Sequence, residues 1–565
     1  MSGYSTWRQG HGLCLLIVLG VALVLVLPML LTNCPQGHDI RHHLIFSHHF
    51  TEQFWQGELY PRWLQKMNAG FGSPTFFFYA PLPFWITALL SAPFWIDKVT
   101  GYPLILSGSL ALLGSGIAAY YWLQAQAPRR LALLLALLYM ALPYHLLVDL
   151  YMRFAFAEFW SFVWLPLIFL FARRQAQGAP GAGCWLALVL ALQVMTHLPT
   201  LLTLLPLLGG YILLLTPPPR LSNLRRPLLA LMLGVTLATL YWLPAMTTQQ
   251  HVSMPSMYVG FLYYANSFLD SWPSFTQGFT FRRYLTFSSV LTSAMAACCW
   301  LARRRAPERR HERLYWLGAL FFCLFMMFPV SKPLWDLLPV LQKIQFPWRF
   351  GTLLCLATIT LMAQSLSGAP RPQQQGSGKL ALAMTGLLLL TLLGSQLWVG
   401  IRPIFLQPIS HALIYKALVL ARSPLEYRPK DVPPELFSFP QLGDFSRRTP
   451  LIHSSSPLTR WQAPDWRPRR IELAVEAPEP TTLTLHHFAY PGWQASDGEG
   501  KSLPVTHSEE GLLQISLPKG QYRLILRLQP QTAEQAGKAI SALALLLWIW
   551  LLWQQRRKSG SASQQ

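Results

Sequence analysis

The sequence predicts a polytopic α-helical membrane protein of about 12 transmembrane helices with a small extracytoplasmic β-sandwich domain near its C-terminus. Of the 565 residues, 52% are hydrophobic and only 12% are charged, and this charged share is about half of that in a typical soluble protein. Uncharged runs of roughly 20 residues, long enough to cross the hydrocarbon core of a bilayer, recur along the chain. One segment before the last such run instead alternates apolar and polar residues, as strands do.

The predicted spans follow these uncharged runs. They are 13–32, 102–123, 131–148, 155–172, 182–197, 200–216, 227–246, 284–302, 314–330, 350–367, 380–400 and 537–553. The first is too long and too apolar for a signal peptide, and no small-residue cleavage site follows it, so we expect it to be retained. The stretch Thr75–Trp95 is also apolar, but Pro81, Pro83 and Pro93 interrupt it. We therefore expect helices that lie in, or dip into, the outer interface.

Basic residues orient the predicted spans. Short clusters of arginine and lysine lie between them, at 129–130, 173–174, 225–226, 303–305, 309–310 and 556–558. Loops rich in Lys and Arg stay in the cytoplasm, which places both termini there and residues 33–101 in a large first outer loop. Arg282 and Arg283 are exceptions. The net charge of +22 is thereby explained by topology, so we expect a bilayer and no nucleic acid as partner, most simply in a bacterial inner membrane.

Acidic residues are rare in the membrane region and lie mainly on one side of it. Residues 1–400 hold ten, and this topology puts eight of them on or just inside the outer face: Asp39, Glu52, Glu58, Asp97, Asp149, Glu158, Asp270 and Asp336. Chemistry that needs carboxylates is therefore expected at the outer face. The alternative is that chance places the few acids that such a chain retains.

Residues 401–536 are expected to form a separate extracytoplasmic unit. They carry thirteen acidic and fifteen basic residues, as a solvated domain would. Ile471–Val475, Thr482–Leu485 and Tyr522–Leu526 have strand-like patterns, while 401–470 suggests an irregular connection in which Glu426 and Tyr427 serve turns and packing. The remaining divisions are a transmembrane domain over 1–400, and a last helix with a basic tail over 537–565.

Several motifs occur in an order that resembles a known family. They are an acidic residue after the first span, then Gly57–Trp63 (GELYPRW), Gly70–Pro74 (GFGSP), Phe78–Pro83 (FYAPLP), Gln345–Phe350 (QFPWRF) and Tyr490–Trp493 (YPGW). As a set they resemble the C-class (GT-C) membrane glycosyltransferase superfamily, and most of all the bacterial membrane proteins labelled "6-pyruvoyl-tetrahydropterin synthase-related". Nothing in the chain resembles a soluble pterin enzyme.

This resemblance implies a GT-C-like fold and a catalytic acidic residue in the first outer loop, here Asp39. It also implies a sugar donor linked to polyprenyl phosphate and a lipid, glycan or protein acceptor. Many relatives carry two adjacent acids in this loop, whereas this chain has His38 and Asp39. That departure puts a metal role for the loop in doubt.

Glycosyl transfer from a lipid phosphate needs a carboxylate at the acceptor hydroxyl and positive charge at the leaving phosphate. Asp39 suits the first role, and an interfacial polar anchor is its alternative. Asp149 and Glu158 are further candidate catalytic carboxylates. Phosphate-binding candidates are Arg153, Arg349 and Lys332; structural ion pairs and snorkelling anchors are the alternatives.

Other polar and aromatic residues complete the candidate site. His197 lies at a bend between two spans and is either a phosphate contact or a structural histidine. Tyr60, Arg62 and Trp63 in the GELYPRW motif are candidates for substrate contacts, with membrane-interface aromatics as the default for the two rings.

Histidines are concentrated just after the first span. Five of the fifteen lie at positions 38, 42, 43, 48 and 49. All five could bind a divalent metal, since His38 with His42 and His42 with His49 have the spacing of one helix face, and His42 and His43 are the ligands we expect; hydrogen-bonded interface groups are the alternative.

Two rival functions fit the same topology. One is a transporter or flippase of lipid-linked glycans, which would need polar groups at mid-membrane depth; the predicted spans are nearly uncharged at their centres, which argues mildly against it. The other is a non-catalytic envelope scaffold that presents the β-unit.

Overall fold

Apolar helices make up most of the structure, and antiparallel strands follow them near the C-terminus. The computed structural model of the protein describes residues 2–32, 34–91, 101–218, 220–269, 279–303, 309–367, 375–400 and 410–562. The acidic residues Asp97 and Asp270, placed on the outer face from the sequence, lie outside the described residues, as do Pro93 and Trp95.

The helices before the strands fill the predicted transmembrane domain. They are α1 (Ser2–Thr32), α2 (Ile40–Trp55), α3 (Thr75–Phe78), α4 (Leu82–Ser91), α5 (Tyr102–Gln124), α6 (Arg129–Ala141), a π-helix (Tyr144–Arg153), α7 (Phe156–Ala176), α8 (Ala182–Val194), α9 (Leu198–Leu215), α10 (Arg220–Leu237), α11 (Thr239–Thr247), α12 (Phe279–Arg303), α13 (Arg310–Met327), α14 (Lys332–Leu337), α15 (Pro339–Gln342), α16 (Gly351–Leu366) and α17 (Gln375–Gly400). Short 3-10 turns lie between α11 and α12, between α13 and α14, and before α16.

Eight helices within the described ranges are long and apolar enough to cross a membrane, or up to ten if each of two bent pairs is one span. The bent pairs are α10 with α11, at 70°, and α13 with the segment Pro329–Leu337, at 90°. Two further predicted spans contain apolar segments of 10–17 residues in the described ranges, Ala182–Val194 and Ala383–Trp398. The chain is therefore a membrane protein, and the described residues do not confirm the expected number of 12 spans.

The described part of the apolar stretch within the first loop forms two short helices rather than one span. Helices α3 and α4 are separated by Tyr79–Pro81, because Pro81 and Pro83 cannot continue a helix from its preceding turn. Helix α4 has ten residues, about half the length needed to cross a bilayer, and it packs against α2 and α5. Helices α3 and α4 both lie against α2.

The C-terminal unit is an antiparallel sheet domain. Its strands are β1 (Ile452–Ser454), β2 (Arg460–Arg467), β3 (Arg470–Ala477), β4 (Thr481–Phe488), β5 (Trp493–Ser496), β6 (Ser502–Leu503), β7 (Val505–His507), β8 (Leu512–Leu517) and β9 (Gly520–Leu528). They form two sheets, in the orders β1-β4-β8-β7 and β2-β3-β9-β5-β6. Alternate residues such as Leu473 and Leu483 are buried in the apolar core, as the period of two in the sequence predicts.

The expected irregular connection over 401–470 is only partly correct. Its described part contains two helices, α18 (His411–Leu420) and α19 (Phe439–Arg448), and the first two strands of the sheet domain. Proline and arginine dominate its composition, but the strands pair with β3 and β4, which lie later in the chain. Tertiary pairing therefore overrides the local signal. Helix α20 (Thr532–Ala562) follows the domain and ends the described chain.

The end of the bundle opposite the sheet domain has its own polar contacts. Arg173 at the end of α7 donates from Nη1 to Glu312 Oε2 at 2.7 Å, and Gln364 near the end of α16 donates to the same oxygen at 3.2 Å. Gln364 also donates to Gln126. These contacts join α7, α13 and α16 at the end where the basic clusters lie.

Candidate functional site

A π-helix positions the first two charged residues of the site. Ten residues, Tyr144–Arg153, adopt this wider helix, and Phe154 then stops it with a left-handed backbone at φ 52°. Such helices are rare and are frequently found at functional sites. Asp149 and Arg153 lie four residues apart on it, and Arg153 Nη1 is 2.7 Å from Asp149 Oδ1. Both side chains are buried.

Glu158 joins that pair to a second arginine. Its Oε2 lies 3.0 Å from Arg153 Nη1 and 3.2 Å from Arg349 Nε, and its Oε1 accepts a 2.7 Å hydrogen bond from the Tyr144 hydroxyl. We call Asp149, Arg153, Glu158 and Arg349 the ion cluster. Two guanidinium groups balance two carboxylates, which is what burial of charge requires.

One carboxylate oxygen of the ion cluster lacks a hydrogen-bond partner among the described residues. Asp149 Oδ2 is buried and has no hydrogen-bond partner among the residues that the structure describes. An unsatisfied buried acceptor is costly and in native proteins usually has a functional or solvent explanation. The cluster therefore has capacity for one more donor.

Arg349 reaches the ion cluster from the turn before α16. Its Nη1 donates to Ile344 O at 2.7 Å and to Gln345 Oε1 at 3.2 Å, and its guanidinium lies 4.9 Å from the centre of the Phe346 ring. Gln345 has a left-handed backbone, with φ 65°. The QFPWRF motif thus forms a strained turn lined by an aromatic ring. This turn holds the Arg349 guanidinium against Glu158.

Asp39 is attached directly to the end of the π-helix. Its backbone N–H donates to Arg153 O at 2.8 Å, and the N–H of His38 donates to Met152 O at 3.1 Å. Gly37 approaches so closely that a Cβ there would lie 2.9 Å from Arg153 C and O. These contacts place the first loop over the ion cluster.

The Asp39 carboxylate itself is available. The residue begins α2 as its N-cap, yet its side chain makes no capping hydrogen bond. The residue is half-buried, and no hydrogen bond or ion pair to its carboxylate oxygens occurs within the described ranges. A carboxylate that is held in place by its backbone but free at its oxygens can accept a proton from a bound hydroxyl.

The pKa values of Tyr79 and His43 show the electrostatic influence of Asp39. Burial raises the pKa of Tyr79; the Asp39 carboxylate raises it further, and Arg349 and Arg153 oppose this. Burial lowers the pKa of His43 to about 4, against the pull of Asp39. The phenol and the imidazole are therefore neutral at pH 7, so neither forms an ion pair with Asp39.

His197 lies near the ion cluster and caps the start of a helix. Its Nδ1 accepts from the backbone N–H of Thr200 at 3.4 Å and lies 2.7 Å from Thr200 Oγ1, so it caps the start of α9. Arg349 and Glu158 interact electrostatically with the ring, and the capping contact matches the structural alternative.

Four sequence candidates do not join this group. Lys332 is exposed and pairs with Asp336 at 2.6 Å on α14. Tyr60, Arg62 and Trp63 belong to a separate junction: Arg62 Nε lies 3.1 Å from Glu534 Oε2, and its guanidinium lies 3.9 Å from the centre of the Tyr60 ring.

Trp63 stacks on His487 of β4, with ring centres 5.0 Å apart. The GELYPRW motif thus docks the first loop onto the sheet domain and α20. These contacts account for the motif without a substrate.

His42 and His43 do not form a metal site with a third ligand in the described part of the chain. His43 faces the rings of Tyr79, Phe84, Phe154 and Phe156. Burial lowers the pKa of both imidazoles. The expected metal position at this pair has no support in the geometry.

Sequence reasoning missed two residues at the site, Tyr144 and Glu426. Tyr144 donates to Glu158, and the Asp39 carboxylate acts electrostatically on Tyr79. Glu426, interpreted as part of a turn, also raises the pKa of Tyr79, so the chain before the sheet domain brings a further carboxylate close. The FYAP motif pointed to Tyr79; nothing in the local sequence distinguishes Tyr144 or Glu426.

Comparison with known proteins adds one finding. A family model described as "6-pyruvoyl-tetrahydropterin synthase related domain; membrane protein" matches residues 76–402, more than half of the chain. The matched range includes the whole ion cluster and His197, whereas Asp39 and the rest of the first loop precede it. No curated protein matches the chain.

Proposed function

The chain belongs to the 6-pyruvoyl-tetrahydropterin synthase-related family of membrane proteins, and we propose that it is an integral membrane glycosyltransferase of the GT-C type. It would take a sugar from a polyprenyl-phosphate donor at the outer face of the membrane and pass it to a lipid, glycan or protein acceptor. The observation that carries this proposal is the unpartnered Asp39 carboxylate, held by backbone hydrogen bonds against buried Arg153.

Each side chain of the site has a role in this reaction. The acceptor oxygen attacks the anomeric carbon, its proton passes to Asp39, and the bond between that carbon and the phosphate oxygen breaks. The leaving polyprenyl phosphate carries the negative charge away beside Arg153 and Arg349, whose planar guanidinium groups suit phosphate oxygens. Positive charge in a site shielded from water is worth far more to such a leaving group than it is in water.

Asp149 and Glu158 were candidate catalytic carboxylates on sequence grounds, and we now assign them to positioning. Both are already engaged with guanidinium nitrogens, at 2.7 to 3.2 Å. Without them, two buried arginines would face each other uncompensated. They hold Arg153 and Arg349 so that the arginines meet the phosphate without rearrangement.

The orientation of the chain is also part of the proposal. The basic clusters near Arg173 and Arg309 would face the cytoplasm, with both termini, and the ion cluster, first loop and sheet domain would face outward. Arg309 Nη1 donates to Ala125 O and Gln126 O, so these basic residues gather at one end of the bundle. A bacterial inner membrane fits this arrangement.

The test compares Asp39→Asn with the matched variant Asp336→Asn. Asp336 is exposed and pairs with Lys332 on α14, outside the ion cluster. In membranes supplied with radiolabelled polyprenyl-phosphate sugars, Asp39→Asn should lower transfer by at least about 100-fold, the range for loss of a general base. Asp336→Asn should transfer at the wild-type rate.

Two results would overturn the proposal. Full transfer by well-folded Asp39→Asn would remove that carboxylate from the mechanism. Movement of the donor head group across liposomes, with no new glycosidic bond detected by mass spectrometry, would instead identify a transporter.

A further inference from the structure

Helix α2 carries a second cluster of ionisable side chains, nine to thirteen residues after Asp39. It consists of His48, His49 and Glu52, and their ligand atoms all lie within 4.8 Å of one another. We propose that this cluster binds one divalent transition-metal ion, with zinc as the best match to two imidazoles and one carboxylate. The site is independent of the glycosyl-transfer proposal.

Helix geometry brings the three ligands to one side of α2. With 100° per residue, Glu52 falls about 40° from His48 and about 60° from His49, so the carboxylate lies between the two imidazoles. The two rings have centres 5.1 Å apart, and His49 Nδ1 is 3.9 Å from Glu52 Oε2. Three ligands at this spacing need only small side-chain rotations to converge on one ion, and they leave a fourth position open.

The buried imidazole of His49 is the independent observation that points to a ligand. Only 4% of this residue is exposed, and neither ring nitrogen has a hydrogen-bond partner in the described part of the chain. The 3.9 Å separation from Glu52 is too long for a hydrogen bond. A buried polar ring with two unsatisfied nitrogens is expensive, and a coordinated cation would satisfy one nitrogen directly.

One group competes with the ion. The Lys66 ammonium contacts Glu52 Oε1, but its side chain is 62% exposed and can swing away. Lys66 also lines a cavity of about 460 Å³ between the first loop and the sheet domain, together with Gln65, Trp466 and His486. The displaced ammonium thus has room, and the metal would replace a weak, exposed ion pair.

The test measures metal content on the full-length protein in detergent, purified with an affinity tag that contains no histidine. After chelator treatment, the protein is equilibrated with Zn²⁺ and analysed by mass spectrometry of the bound metal. Co²⁺ in place of Zn²⁺ gives a visible spectrum that reports coordination geometry. We expect about one ion per chain and at least tenfold weaker binding in His48→Ala and in Glu52→Gln, both of which replace partly exposed side chains.

The matched control is His42→Ala, six residues earlier on the same helix. It should keep the metal, because His42 lies outside the cluster. Metal content no higher than the detergent blank would overturn the proposal. So would wild-type affinity in both His48→Ala and Glu52→Gln.

The Lys66→Met variant gives a further test, because tighter metal binding is expected only if the cluster binds the ion. Removal of the competing ammonium should tighten Zn²⁺ binding about two- to fivefold, the range expected from an exposed ion pair. Weaker binding in this variant would contradict the proposed competition.

Discussion

At the scale of single residues, the site is a balance of buried charge with one carboxylate left free. Arg153 and Arg349 share the Glu158 carboxylate, and Arg153 also pairs with Asp149. Removing one partner from such a group is costly, because the opposite charge stays buried and unpaired. Asp39, in contrast, has open oxygens at the edge of this network. In the proposed function, Asp149 and Glu158 therefore contribute to stability, and Asp39 contributes to the chemistry.

This division predicts a large loss of stability for Arg153→Met. The change leaves Asp149 and Glu158 without Arg153 Nη1, and we expect the free energy of unfolding to fall by about 3–5 kcal/mol. Unfolding of the detergent-solubilised protein with increasing denaturant measures it. Lys332→Met removes an exposed cation of α14 and should leave the unfolding curve unchanged. Equal effects of the two variants would contradict the role given to the ion cluster.

At the scale of elements, the decisive contact lies between the start of α2 and the end of the π-helix. Two backbone hydrogen bonds, from His38 to Met152 and from Asp39 to Arg153, join them. The π-helix ends at Phe154 with a positive φ, which exposes the carbonyl groups that these N–H groups use. The close approach is open only to glycine at position 37, because any Cβ would meet the Arg153 backbone.

Gly37→Ala therefore tests the element contact. Its Cβ would lie 2.9 Å from Arg153 C and O and from Phe154 Cβ, so the loop must move away from the π-helix. We expect a loss of about 1–3 kcal/mol, typical of overpacking, and a fall in transfer activity as Asp39 shifts. Gly20→Ala in α1, where a Cβ meets nothing within 4 Å, is the control. Wild-type activity in Gly37→Ala would show that Asp39 tolerates displacement.

At the scale of the whole molecule, a buried ion network joins three distant parts of the chain. Arg62 of the first loop and Arg469 of the sheet domain both contact Glu534 Oε2 at the start of α20, at 3.1 and 3.2 Å. Arg469 Nε also lies 3.3 Å from Glu58 Oε1. The first loop is therefore held between the membrane bundle and the sheet domain, which keeps α2 over the ion cluster.

This junction predicts a specific pH dependence. Burial raises the pKa of Glu58 to about 7, against the effect of Arg469, so between pH 4.5 and 7 the folded state binds a proton that the unfolded state has released. The contribution of Glu58 to stability is thus greatest below pH 4.5 and is lost as the pH rises through 7.

Buried histidines with a lowered pKa make stability rise with pH, which is opposite to the effect of Glu58. The contribution of Glu58 is therefore isolated by comparing the wild-type protein with the Glu58→Gln variant. The Tm of wild type minus that of the variant, measured from pH 5 to 8, should decrease with pH and level off above 7. A difference that is constant over this range would show that Glu58 does not titrate in the folded protein.

Part of this picture follows from local sequence alone. Apolar runs, basic clusters and residues alternating over Ile471–Val475 determine a membrane protein with a C-terminal sheet domain, because hydrophobicity and period are properties of short windows. The number of spans is less secure, since a run such as 227–246 has the length of a span but bends by 70°. The sequence also singled out Asp39, because an ionisable residue directly after an apolar run is uncommon.

Only the tertiary structure decided which charged residues meet. Asp39, Arg153 and Arg349 come from segments separated by more than a hundred residues, so no spacing rule could group them or exclude Lys332 and Arg62. Burial then determined their partners, because a charge inside the protein must find an opposite charge wherever the fold provides one. Composition made this chain a membrane protein, and long-range packing brought Asp149, Arg153, Glu158 and Arg349 together in one buried ion cluster.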